Sequence, residues 1–179
     1  TDKSIKAILV SHVDTSSSVR NDLPALRSAI DAADHAALLM VDCIASLGCD
    51  RYEMDEWGVD LTVGASQKGL MCPPGLGFVW AGERALAAMD PDRPRVSYLD
   101  WSKRLDPQMF YEIFAGTPPV AHLHALEAAL GLIDEEGGLD AVWARHQAHA
   151  DAVRAAVTAW TSPGGMSLNI ASPGHRSNA

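Results

Sequence analysis

Apolar residues follow two rhythms along this chain. Short unbroken runs mark the first half: residues 5–10 (IKAILV), 36–41 (AALLMV), 60–66 (DLTVGAS) and 75–81 (GLGFVWA). Each is short, largely apolar and flanked by polar or turn-forming residues, which predicts buried strands. Between the first two, Asp22 is placed to cap a helix with Pro24 in its first turn. Leu23, Leu26 and Ile30 then share one helical stripe. From residue 117 the rhythm is helical. Val120, Leu123, Leu126 or Glu127, Leu130 and Ile133 follow Thr117-Pro118-Pro119, and Gly137-Gly138 stops the stripe. A second helix is expected over 139–160, with Leu139, Val142, Trp143, His146, Ala150, Val153 and Val157 on one face. Its length suits a bridge between domains. TSPGG, 161–165, should end it, and MSLNIASP, 166–173, reads as a further strand. Strands alternating with helical stretches predict an α/β fold with a mainly parallel sheet.

Composition narrows the picture. With 179 residues and 47% hydrophobic content, the chain can bury a sizeable core in one domain, or one domain and a piece of another. A formal net charge of −9 disfavours nonspecific binding to nucleic acid or to an anionic membrane. No run is long and apolar enough to cross a membrane, and no signal peptide is visible. Cys43, Cys49 and Cys72 match no zinc spacing and read as reduced thiols of a cytoplasmic protein. The histidines form no metal spacing with carboxylates, and the tryptophans read as packing or interface residues. The chain opens at Thr1 almost directly on a strand and stops just after SPGHRSN, so we expect the central part of something longer.

In an open α/β sheet, ligands bind beyond the carboxyl ends of the strands. Three loops leave such ends here. The first carries Ser11 through Ser18, the second begins at Asp42, and the third carries Ser66, Gln67 and Lys68. Asp42 closes LLMVD and is expected to be partly desolvated there. It serves equally well as a strand-end residue bonded to backbone amides. Lys68, at a partly buried strand end, should have a depressed pKa and so act as a nucleophile, or else snorkel to solvent. The pair is more specific than either residue. A lysine that condenses with an aldehyde and a carboxylate that pairs with a protonated pyridine nitrogen are what a pyridoxal phosphate site needs. Thr117, just before a helix, offers a hydroxyl to the phosphate at the positive end of the helix dipole.

VDCIASLGCDRYEMDEWGVDLTVGASQKGLMCPPGLGF, residues 41–78, resembles the class V aminotransferases of the fold-type I pyridoxal phosphate enzymes. The serine/alanine–glyoxylate (serine–pyruvate) group is the nearest in pattern. SHVDTSSSVRNDL, 11–23, is similar to that family's His-x-Glu-Thr/Ser-Ser loop, and FAGTPPV, 114–120, to its Thr-Pro-Pro segment. The resemblance implies a three-layer sandwich around a mainly parallel sheet. Residues 1–138 would belong to the large cofactor-binding domain, and 139–179 would be the connecting helix and start of the small one. It implies that Lys68 carries the cofactor as a Schiff base and shuttles the proton between substrate Cα and cofactor C4′. Asp42 would pair with the pyridine nitrogen, Ile44 would pack on a ring face, and Thr15 would bond near the 3′ oxygen. Gln67 would bind the phosphate, and Thr117 would reach the phosphate of a neighbouring subunit in a homodimer. The reaction implied moves an amino group from serine or alanine to glyoxylate or pyruvate.

Departures from the pattern matter. Phe114 stands near a position where relatives have a phosphate-binding tyrosine. The loop reads Asp14-Thr15-Ser16-Ser17-Ser18 where relatives have Glu and then Gly. The family's ring-stacking aromatic and glycine-bearing phosphate loop, and its arginine for the substrate carboxylate, lie outside this chain, and Arg176 is not equated with that arginine. Other chemistry on the same fold, such as cysteine desulfuration, usually places His directly before the lysine; here it is Gln67. A non-catalytic cofactor-binding subunit is the remaining alternative.

Overall fold

The computed structural model describes residues 2–90, 92–93, 96–161 and 165–179. Its centre is a sheet in the order β1 (Ala7–Ser11), β2 (Leu38–Asp42), β3 (Leu61–Ala65) and β4 (Gly77–Ala81). The first three strands are parallel, with Val10 opposite Val41 and Val41 opposite Thr62. β4 returns antiparallel, with Val63 opposite Val79. The mainly parallel α/β fold expected from the alternating pattern is therefore the one observed, with each strand within two residues of its expected span.

The parallel β1–β2 step requires a crossover, which α1 (Leu23–Ala32) supplies. Asp22 caps it by accepting the Ala25 N–H at 2.9 Å, and Pro24 fits the first turn. Leu23 and Ile30 are buried against Leu39, Val41 and Val59, with Leu26, Ile8 and Val10 at the margin. Strand alternation sends Leu39 and Val41 toward α1, so Met40 and Asp42 face the other way.

Short helices α2 (Glu83–Ala87) and α3 (Ser102–Leu105) lead to the long pair α4 (Val120–Glu136) and α5 (Leu139–Trp160). Gly137, at φ +113, ends α4 in the left-handed conformation that glycine tolerates. Ile133 and Val142 meet Leu70 in a second core cluster, edged by Leu47, Phe78 and Leu126. The expected stripes hold only in part, since Val120, Leu130, Leu139 and Val153 are exposed.

The two clusters lie on one face of the sheet. Thr62 bonds Tyr52, which packs on the α1 cluster, and the register places Trp80 beside Thr62 and Phe78 beside Gly64. A Cβ on Gly64 would come within 2.9 Å of the Trp80 ring. α1, α4 and α5 thus cover the same side. The other side, with Leu9, Met40, Leu61, Val63 and Val79, is the more open one: Leu9 and Val79 are exposed, and of these five only Leu61 is buried. An open groove of about 350 Å³ runs over it, lined in part by Leu9, Met40, Asp42 and Val63. The described residues provide two layers of the expected sandwich.

One expected element does not form. Residues 166–172 form no strand; the Ile170 and Ala171 carbonyls instead accept the Arg176 guanidinium at 2.9 and 3.1 Å. The alternating apolar pattern there finds no sheet edge, and the pairing falls later, in an isolated bridge between Val19 and Arg176. α5 does end at Trp160, but 162–164 of the expected terminator lie outside the described residues. The segment from Val96 to Ile113 is notable for exposed large apolar side chains, among them Tyr98, Leu99, Leu105, Met109, Phe110 and Tyr111.

Candidate active site

The loop after β1 begins with His12, only 2% exposed, whose Nδ1 lies 2.9 Å from Ser46 Oγ. Its ring packs against Tyr52 and Trp57. Burial pushes the imidazole down to about 4, with Asp50 opposing that shift and Arg20 adding to it. Beyond His12 the chain folds back on itself. Val13 bridges Arg20, the Asp14 N–H reaches Val19 O at 2.9 Å, and Asp14 Oδ2 accepts the Ser17 N–H. Thr15 is exposed within this turn.

Asp42, expected to be partly desolvated, is instead exposed, because the strand's alternation turns it to the uncovered face. Its Oδ1 accepts the Ile44 N–H at 2.8 Å. The strand-end role is therefore real, and it leaves the second carboxylate oxygen without a partner among the described residues. Next to it, Cys43 points inward, donates to Val63 O at 3.1 Å, and is pushed up to about 12 by burial and by the Asp42 charge.

Lys68 is likewise exposed, not partly buried, since β3 ends at Ala65 and the chain has already turned out of the sheet. Ser66 holds that turn: its hydroxyl donates to Pro73 O at 2.8 Å, and its carbonyl accepts the Cys72 N–H at 3.0 Å. Met71 closes back on Lys68 O at 2.8 Å, with φ +59. The loop rests directly on the one that follows Asp42. A Cβ on Gly69 would collide with Leu47 O and sit 2.8 Å from Cys49 Sγ. Gly48, at φ +82, faces the Gly69 carbonyl from the other side, where a Cβ would lie 3.0 Å away. Two glycines therefore set the approach of the Asp42 and Lys68 loops.

Lys68 and Thr15 line one cavity of about 330 Å³, together with Met71 from the lysine loop and Arg145 and His146 from α5. Asp42 opens instead onto the sheet-face groove, beside Ser11. Gln67, Ile44 and Thr117 line neither space; Gln67 and Thr117 are exposed and Ile44 is half-buried. Thr117 does not cap α4, whose N-cap position is Pro119 and has no side-chain cap. His122, in the first turn, approaches Pro74 O at 3.2 Å and fills the space where a Gly75 side chain would stand. It ties the turn after Lys68 to the start of the helix after Thr117.

Sequence pattern did not single out three further groups. Asp50 is buried and paired with Arg20 at 3.1 Å. Arg145 is held by both oxygens of Glu136, at 2.6 and 2.9 Å, so its charge is already matched. Arg176 is spent on backbone carbonyls. Asp50 lies in a loop, where a charged residue carries no periodicity, so nothing in the sequence marks it as inward-facing.

The free groups suit a cofactor with an aldehyde and a basic ring nitrogen. Among the described residues the Lys68 amine, the Thr15 and Thr117 hydroxyls and the Gln67 amide make no hydrogen bond or ion pair. The chain is 42% identical over 163 residues to the serine–glyoxylate aminotransferase of Methylorubrum extorquens, matching 87% of this chain and 40% of that protein. It is 38% identical over 153 residues to alanine–glyoxylate aminotransferase 1 of Saccharomyces cerevisiae, matching 81% of this chain and 40% of that one. The crystal structure of an alanine–glyoxylate aminotransferase from Nostoc sp. superposes with a TM-score of 0.82 at 30% identity, over 95% of this chain and 44% of that one. The chain thus spans about 40% of the length of these curated relatives. The family profile described as aminotransferase class-V matches residues 1–167. This chain belongs to the class V aminotransferases.

Proposed function

We propose that the full-length protein containing this chain is a pyridoxal phosphate-dependent aminotransferase, moving an amino group from serine or alanine to glyoxylate or pyruvate. The observation that carries this reading is the placement of Lys68 and Asp42. They leave adjacent parallel strands at the same end of the sheet, both are exposed, and the amine has no partner among the described residues. The serine–glyoxylate and alanine–glyoxylate activities of the relatives support serine or alanine as donor and glyoxylate as acceptor.

When bound, pyridoxal phosphate supplies a reactive aldehyde and an electron-withdrawing ring. Lys68 Nζ would be the nucleophilic amine that holds the group through that aldehyde, and its free amine would be the base for the proton on substrate Cα. Asp42 would hold the proton on the ring nitrogen, Ile44 would pack on a ring face, and Thr15 would orient the ring near its 3′ oxygen. Gln67 would bind the phosphate. Thr117 would reach the phosphate of a second copy in a homodimer. The exposed apolar side chains between Tyr98 and Tyr111, next to Thr117, support that contact. Residues 1–138 belong to the large cofactor domain; 139–179 connect to and begin the small one. We place the protein in the cytoplasm; no helix among the described residues is long and apolar enough to cross a membrane.

The test uses the full-length protein. It should bind pyridoxal phosphate with a visible absorption band that borohydride fixes covalently, and Lys68→Ala should abolish that fixation and turnover. Unchanged fixation in Lys68→Ala, or no visible band in the native protein, overturns the proposal.

A further inference from the structure

Asp50 has a side chain with no solvent exposure, and it joins three segments. Its Oδ1 accepts Arg20 Nη1 at 3.1 Å. Both its oxygens accept the Asn178 backbone N–H, at 3.2 and 3.0 Å. Its own N–H donates to Ser46 O at 2.9 Å, within the loop that follows Asp42. Arg20 closes the base of the Thr15 turn through its bridge to Val13.

The last segment of the chain docks on the same two loops. The Arg20 N–H donates to His175 O at 2.8 Å, and Arg20 Nη2 donates to Gly174 O at 3.2 Å. His175 Nδ1 lies 3.1 Å from Arg20 O, and the Ser177 N–H donates to Ser18 O at 3.2 Å. α5 grips the segment from the other side, with Arg154 and Gln147 both bonded to the Asn178 side chain.

A buried ion pair adds little net stability, because desolvation offsets its attraction. What it does is hold its partners at hydrogen-bonding distance, since displacing Arg20 strands the fully buried Asp50 carboxylate. We propose that Asp50 is a positioning residue for the cofactor site. With Arg20 it holds the Thr15 loop against the loop that follows Asp42, and its bonds to Asn178 make that placement depend on a seated 174–178 segment. The proposal rests on the reading above, in which Thr15 and Asp42 face one group.

The test uses full-length protein as wild type, Arg20→Gln, Asp50→Asn and the double variant. The first readout is amide hydrogen exchange without cofactor. Exchange should rise together at 14–20 and 175–178 in Arg20→Gln, while the β2 and β3 amides keep their protection. The second is a pyridoxal phosphate titration. The dissociation constant should rise roughly tenfold in Arg20→Gln, as for loss of one charged hydrogen bond. The pH midpoint of the bound chromophore should also move, and the double variant should be no worse than Asp50→Asn alone. Should Asp50→Asn fail to fold, Arg20→Gln carries both readouts. A lower melting temperature with wild-type affinity and midpoint would mean a purely structural pair and overturns the inference. So does exchange that rises at 14–20 but not at 175–178. Absence of cofactor uptake by wild type defeats the functional reading instead, and the exchange readout still decides the coupling of the segments.

Discussion

Leu39 and Leu9 sit on neighbouring strands of one sheet, yet Leu39 is 0% exposed and Leu9 is 77% exposed. The first faces α1 and the second faces the uncovered side. Both belong to equally apolar runs, so hydrophobicity alone does not separate them. What separates them is which face the described helices cover. The covered face is a packed core. The uncovered face carries Ser11 and Asp42 and opens onto the groove, whereas Lys68 and Thr15 line a separate cavity with Arg145 and His146 of α5.

Four measurements break or sharpen that contrast. Leu39→Ala should cost about 3 kcal/mol in urea unfolding, through lost burial and a cavity under α1. In the 179-residue chain Leu9→Ala should cost less than about 0.5 kcal/mol. Similar values for the two in this chain would break the comparison. A large value for Leu9 in the full-length protein would show that another part of that protein covers the face.

Acid should weaken the covered side next. His12 is held neutral, at about 4 against an ordinary value near 6.5, so between those pH values the unfolded chain binds the extra proton. Stability should fall as pH drops from 6.5 to 4, by about 2 kcal/mol from this residue. His12→Gln should flatten the pH dependence of the urea midpoint in that window; an unaltered slope would remove His12 as the cause.

Gly69→Ala should destabilise by about 2 kcal/mol through overpacking against Leu47 and Cys49, and should displace Lys68. Gly77→Ala meets nothing within 4 Å and should be close to neutral. Equal melting temperatures for the two variants would refute the close approach of the loops. The smallest signal is expected from the thiols. Burial raises Cys43 and Cys49, so a thiolate-directed reagent at pH 8 should leave both unmodified until the protein is unfolded.

Much of this was legible in the residues. The apolar runs marked the strands, Asp22 and Pro24 marked the start of α1, and Gly137-Gly138 marked the break between α4 and α5. Lys68 and Asp42 were picked out as candidates by their chemistry and spacing. Their environment was not, because a strand-end residue falls on either side of the sheet according to alternation and to where the strand stops. Residues 166–173 misled for a related reason: alternation predicts a strand only where an edge is available to pair with it.

By itself, the sequence determined the element order and the mainly parallel α/β class, and it put forward Lys68 and Asp42 as the candidate pair. These follow from local periodicity, capping and side-chain chemistry, which act over a few residues. Only the tertiary structure decided that all the long helices cover one face, that Gly48 and Gly69 bring two loops into contact, and that Asp50 gathers residues 20 and 178 onto one carboxylate. Those arrangements join positions far apart in the chain. Their cause is close packing and the need of a buried charge for partners, and neither leaves a periodic trace in the sequence.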